Sequence, residues 1–218
     1  MKAYVICVVF LILFGSSCMQ SPDADKTVTS DIQELAIMEG SGYIIDTAVS
    51  KIVWVGTKIN GSHSGNLKII DGKIGLKDSN LSSGTFIIDV ASLNNSDLPP
   101  KEKHKIETHL KSADFFNVVK YPTAHFAISK VEIFNPDTDK SVLQGATHTI
   151  SGNLTLKGVT KNVRFPAKIK MDDRQLTAEA DFVINRTDWG MNYRGVNNPQ
   201  DWLINKDVNL KLFIVAHK

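Results

Sequence analysis

Leu176-Thr177-Ala178-Glu179-Ala180-Asp181-Phe182-Val183-Ile184-Asn185, late in a chain of 218 residues, carries an apolar side chain at every second position. Val208-Asn209-Leu210-Lys211-Leu212-Phe213-Ile214-Val215-Ala216 keeps the same alternation further on. Successive side chains point to opposite faces of a strand, so a period of two marks one dry and one wet face. The pattern recurs in Phe86, Ile88 and Val90, in Ile150, Leu154 and Leu156, and in Val163, Phe165, Ala167 and Ile169. The opposite parity is mostly Lys, Thr, Asn, Asp and Arg, as in an antiparallel sheet with one solvated face.

Working outward, strands are expected over residues 51–59, 66–70, 73–76, 84–90, 124–134, 147–157, 162–170, 176–185 and 207–217, separated by turn residues. Ile70-Asp71-Gly72-Lys73 reads as a type I′ hairpin, because Asp and Gly tolerate the positive φ such a turn requires. Between Phe126 and Ile128 on one side and Val131 and Ile133 on the other, the apolar phase slips by one, which predicts a bulge near Ser129. About eight strands with one apolar face must bury that face somewhere, and the sequence offers little helix to cover it. The pattern suits a sandwich or a barrel, and closure into a β-barrel is favoured over an open sheet, a barrel wide enough either to fill with side chains or to hold one small ligand.

One connection breaks the meander. Residues 91–123 are far too many for a hairpin loop. Asp97-Leu98-Pro99-Pro100 looks like a helix start with Pro in the first turn, and Ile106 and Leu110 share a face. Ser112 is placed to cap a second short turn through Phe115 and Phe116. An insert between two barrel strands lies near a barrel end, so a cover for the mouth is expected.

The composition is that of an ordinary globular chain, with a formal net charge of +2. That value conceals a split: residues 19–40 carry one Lys against five acidic groups, while residues 41–218 carry 23 basic and 18 acidic groups. No segment is basic enough to imply nucleic acid as a partner. The two cysteines, Cys7 and Cys18, both lie near the N-terminus, which excludes a disulfide framework or a Cys-based metal site in the body. Lys2 precedes a short apolar run from Ala3 to Phe14, the length of a signal-peptide core and not of a membrane span. Gly15-Ser16-Ser17-Cys18 resembles a lipoprotein lipobox, with Gly15 where Leu is usual, so residues 1–17 are expected to be a signal segment and Cys18 the acylated residue. An ordinary signal peptide cleaved nearby is the other reading. Residues 18–40 are expected to form a flexible, solvated tether with a short amphipathic helix through Ile32, Leu35, Ala36 and Met38. The body of the protein is expected over residues 41–218.

No catalytic or metal signature emerges. His104 and His109 fall on different faces of the proposed helix, no ligand spacing of His or carboxylate recurs, and no metal or other cofactor is expected. His63, in a Gly-rich turn, reads as a hydrogen-bonded loop residue. No nucleophile elbow or phosphate-cradling glycine motif occurs. Asn185-Arg186-Thr187-Asp188-Trp189-Gly190 is the densest polar cluster and favours a structural ion pair of Arg186 and Asp188 over catalysis.

Read in order, four segments resemble the YceI-like family of bacterial exported proteins. They are Tyr43 to Trp54, His109 to Phe126 with its Lys120-Tyr121-Pro122, Gly152-Asn153-Leu154-Thr155-Leu156-Lys157-Gly158-Val159-Thr160, and Asn185 to Gly190. The third matches the family's GDLTLHGVT with Asn153 and Lys157 as departures, and the fourth its NRxDFG with Trp189 for Phe. The resemblance implies an all-β, lipocalin-like, eight-stranded antiparallel barrel with a short helical insert near the mouth. It further implies a non-enzymatic protein whose apolar tunnel binds a polyisoprenoid or another amphiphilic lipid, such as an isoprenoid quinone. The apolar parity then gives the expected lining: Phe86, Ile88, Phe126, Ile128, Ile150, Leu154, Phe165, Phe182, Ile184, Leu210 and Leu212. Trp54, Leu110, Phe115 and Phe116 are expected at the mouth. The expected location is the bacterial cell envelope, held to a membrane through the acylated N-terminus; a homodimer is compatible with the sequence. Two rivals stand beside this: an envelope module whose barrel is packed solid, and an enzyme using Arg186 and Asp188 or the histidines.

Overall fold

The computed structural model describes residues 23–38, 42–59, 61–193 and 199–218. The expected signal segment and Cys18 lie outside the described residues. Two short strands come first, β1 (Asp25–Lys26) and β2 (Thr29–Ser30), followed by β3 (Gly42–Ile45), β4 (Lys51–Lys58), β5 (Gly61–Lys77) and β6 (Asn80–Asn95). The helix α1 (Pro100–Lys111) precedes β7 (Thr123–Ile133), β8 (His148–Leu156), β9 (Val159–Met171), β10 (Gln175–Asn185) and β11 (Ile204–His217). From β4 to β11 each strand pairs antiparallel with the next, and β11 pairs back with β4. The result is a closed eight-stranded antiparallel barrel, in which β3 shares with β4 the slot between β11 and β5.

Closure follows from the alternation. The residues of the apolar parity on β6, β8, β9, β10 and β11 all belong to one core cluster inside the barrel or pack against it. The expected bulge at Ser129 is present as a register shift between Ile128 and Lys130. At inward position 152 only Gly fits, because a Cβ there would stand 2.2 Å from the Phe126 ring.

The expected hairpin at Asp71-Gly72 is not a turn. β5 runs unbroken through it, and both halves pair with β6, with a register shift between Ile69 and Asp71. The Asp71 carboxylate accepts the Gly72 N–H at 2.8 Å, which satisfies an amide that the bulge releases from the ladder. The reversal occurs instead at Asp78-Ser79, whose φ values of 49° and 64° give the two consecutive left-handed residues of a type I′ turn.

Residues 25–38 are not a free tether, and the helix expected through Ile32 and Met38 does not form; the segment is extended and strapped to the barrel. β9 and β10 pair over only four residues each, 168–171 with 176–179, and then diverge. The strap fills the opening: β1 pairs parallel with β10 at Phe182 and Val183, and β2 antiparallel with β9 at Asn162 and Val163. Thr27 donates its N–H and hydroxyl to the Val183 carbonyl, and the Asp25 carboxylate accepts from the Ser141 hydroxyl and the Val142 N–H. The strap then crosses the outer face. Asn153 accepts the Gln33 N–H at 3.1 Å and donates to its carbonyl at 2.7 Å, and Ala36 donates to the Ile128 carbonyl. Outward polar residues Asn153, Asn162 and Ser83 are buried as a result. The tether expectation failed because the strap's polar composition serves backbone pairing on a polar outer face, which needs no hydrophobic stripe.

Candidate functional site

The connections at one end of the barrel form its cover. Pro100 occupies the first turn of α1, as expected, where its missing N–H costs no hydrogen bond. The expected second short turn is present, but the Ser112 side chain does not cap it: its hydroxyl donates to the His109 carbonyl at 2.7 Å and closes α1, while its own carbonyl accepts from Phe115 and Asn117 in the turn that follows. This turn drives Phe115 and Phe116 inward beside Leu110. The His109 ring meets Phe115 edge-on at 5.0 Å and Tyr193 at 4.8 Å, pinning the insert to the β10–β11 connection.

Below the insert lies a cavity of about 210 Å³. Thirteen of the fifteen side chains expected at the tunnel or its mouth line it. Ile128 and Ile150 do not: they face a second void of about 60 Å³, on whose wall Ile150 pairs with Phe165. Phe165, Leu212 and Ile214 line both voids and divide them. Trp54 is not at the rim. It pairs with Leu210 of β11, itself paired with Phe182 of β10, in a row that crosses the middle of the wall. The row continues into the rings of Phe182, Phe165, Phe126 and Phe86, on β10, β9, β7 and β6, the first pair stacked at 4.0 Å.

Several lining residues carried no expectation. Leu67 and Ile69 were obscured by the false turn at Asp71-Gly72, and Met191 sits in irregular chain with no periodicity to betray it. Gly56 was the one legible sign of hollowness. It continues the inward parity of Ile52 and Trp54, lines the cavity, and a Cβ built there meets nothing within 4 Å.

Among the described residues, the polar side chains of the wall are Arg186 and Asn205. Arg186, 3% exposed, donates to the carbonyls of Asn205, Met191, Asp201 and Ile204 and pairs with the Asp201 carboxylate at 2.8 Å. Its partner is therefore Asp201 and not the expected Asp188, which accepts instead from the Thr29 hydroxyl of the strap at 2.7 Å. In the same motif Asn185 caps the short 3-10 turn Arg186–Trp189 through the Thr187 N–H, and Trp189 donates to the Leu154 carbonyl. The motif is architectural: it fixes the β10 end and the mouth. Lys157, at the second departure from the family pattern, donates to the Gly190 carbonyl at 2.9 Å. Burial holds its ammonium below the ordinary value, against the opposing pull of Asp114 and Tyr121.

His109 packs in the cover, and His63 takes a structural post of its own. His63, on β5, bonds the Asp97 carboxylate at 3.1 Å. Burial alone would raise that carboxyl, yet hydrogen bonds from Asn95, His63 and Ser64 together hold it below the usual carboxylate range. Among the described residues no group of His, Cys, Asp or Glu is arranged to hold a metal.

An apolar interior in which Arg186 is already partnered can take up an uncharged chain by hydrophobic burial. Comparison with known proteins agrees with the architecture. Burkholderia cenocepacia BcnA superposes with a TM-score of 0.61 at 22% identity, over 79% of this chain and 99% of that one. A polyisoprenoid binding domain from Saccharophagus degradans superposes with a TM-score of 0.56 at 13% identity, over 84% and 99%. At such identities the likeness establishes the fold. A UPF0312 protein of Enterobacter sp. (strain 638) is 35% identical over 105 residues, 48% of this chain and 47% of the relative. Protein YceI of Salmonella arizonae is 34% identical over 105 residues, 48% of each. The chain thus spans about half the length of these relatives. The model of the YceI-like domain matches residues 43–216, the whole barrel from β3 to β11, and the chain belongs to that family.

Proposed function

We propose that the barrel binds and carries a long apolar lipid, a polyisoprenoid or an isoprenoid quinone, at the cell envelope. The observation that carries this reading is the apolar cavity itself. Protein interiors hold few voids larger than a water molecule, and an unfilled one of 210 Å³ costs about 5 kcal/mol at the slope known for core cavities. A guest removes that cost, and each methylene it buries contributes about 0.8 kcal/mol. An apolar void of about 150 Å³ admits a benzene ring, so 210 Å³ takes about eight carbon atoms by the same ratio. A longer chain continues through the mouth or displaces Phe165, Leu212 and Ile214 to join the second void. The likeness to a polyisoprenoid binding domain supports the same class of guest.

The decisive experiment is organic extraction of the purified full chain followed by mass spectrometry. A prenyl lipid at near-stoichiometric yield is expected. Protein that carries no lipid and binds no prenyl chain after delipidation would overturn the proposal in favour of a structural module. Anchoring through Cys18 belongs to the same proposal: metabolic labelling with an alkyne fatty acid should mark the wild type and leave Cys18→Ser unlabelled.

A further inference from the structure

Trp54 is 7% exposed and lines the cavity, and its indole N–H, fully buried, meets no acceptor among the described residues. The side chain lies across Gly65, its pairing partner on β5, where any Cβ would come within 2.7 Å of the indole edge. Indole nitrogens in a protein interior ordinarily find a partner, as Trp189 does with the Leu154 carbonyl. An N–H left unpaired in an apolar channel is an expensive group unless something that enters the channel accepts from it.

The electrostatics of the wall restrict what that can be. Arg186 has its guanidinium taken up by four carbonyls and by Asp201, and among the described residues no other titratable side chain lines the cavity. An anionic group brought to this depth would lose its hydration without gaining a counter-charge. Trp54 lies four residues along β4 from Lys58 at the rim, about 13 Å at the rise of a strand.

We propose, on the reading that the cavity takes an apolar guest, that the Trp54 N–H is a specificity-determining donor. It accepts into the barrel a guest with an uncharged acceptor oxygen, of the carbonyl, ether or ester kind, which enters the channel instead of remaining at the rim. Chains ending in a diphosphate are excluded from that depth.

The test uses delipidated full-length protein and three probes: the isoprenoid ketone farnesylacetone, the saturated hydrocarbon farnesane, and farnesyl diphosphate. Each is titrated by displacement of a fluorescent apolar dye from wild type and from Trp54→Phe. Wild type should prefer the ketone over the hydrocarbon by about five-fold, the worth of one neutral hydrogen bond, and in the variant the ratio of the two affinities should fall to about one, whatever the change in each. In parallel, 15N-labelled wild type should show one indole N–H resonance moving downfield with the ketone and not with farnesane. A preference that survives Trp54→Phe, an indole resonance blind to the ketone, or a diphosphate that binds tightest would overturn the inference and leave hydrocarbon carriage intact. Failure of both farnesylacetone and farnesane to bind would instead remove the reading on which it rests. The resonance test on wild type decides the matter even if the variant does not fold.

Discussion

Substituting Gly56→Val should stabilise the protein and weaken its hold on a guest at the same time. Gly56 faces the cavity, its backbone lies outside the left-handed region, and a Cβ there stands in open space. Valine adds three carbons to an apolar void, worth about 2.4 kcal/mol at 0.8 kcal/mol each. Replacing glycine in a strand adds roughly 0.5–1 kcal/mol through the lost freedom of the unfolded chain. The sum of about 3 kcal/mol corresponds to a rise in Tm of roughly 6–12 °C for a domain of this size. The same three carbons exclude an equal part of the guest, so affinity for a prenyl chain should fall roughly fifty-fold. Calorimetry of delipidated protein gives the first number and dye displacement the second. A lower Tm, or an unchanged affinity, would show that the void is not the binding volume.

Asn153→Asp restores the family's residue at this position but removes the amide that donates to the Gln33 carbonyl; the strap should loosen, with faster hydrogen exchange over residues 25–36 and a loss of about 1–2 kcal/mol in denaturant titration. Arg186→Met should lower stability by about 3–5 kcal/mol, since it strands the partly buried Asp201 and four carbonyls. Asp97 has a depressed carboxyl in the folded state, so its contribution is present above the unfolded carboxylate value and is lost as pH falls through the folded one. Wild type should therefore exceed Asp97→Asn in thermal stability at neutral pH, and the two curves should converge at the acid end.

The alternation of Leu176 to Asn185 and Val208 to Ala216 sufficed for the barrel because parity is a local property: each strand states which of its faces is dry, and the closed sheet sums those statements. The slip at Ser129 was legible for the same reason. Asp71-Gly72 misled because a bulge and a type I′ turn call for the same residues; only the length of β6, which accepts both halves of β5, separates them. The strap was invisible because its contacts are main-chain pairings and Asn or Thr hydrogen bonds to residues more than a hundred positions away. Hollowness depends on the summed volume of side chains from eight strands, which no single strand reports, although Gly56 at an inward position was a hint. The exchange of Asp188 for Asp201 as partner of Arg186 depended on how the β10–β11 connection folds back, which periodicity does not encode.

The strap also sets the order in which the molecule can be completed. Thr27 is joined to Val183 across 156 positions of sequence, and Thr29 to Asp188 across 159. The first described strands have no partner until β9 and β10 exist, and loop closure of that span carries its entropic cost before any contact is returned. The seam is thus stitched last by the part of the chain that is made first. Protection of the Thr27 amide should therefore appear only in the final kinetic phase of refolding, after the inward residues of β5 to β8 have already lost contact with water.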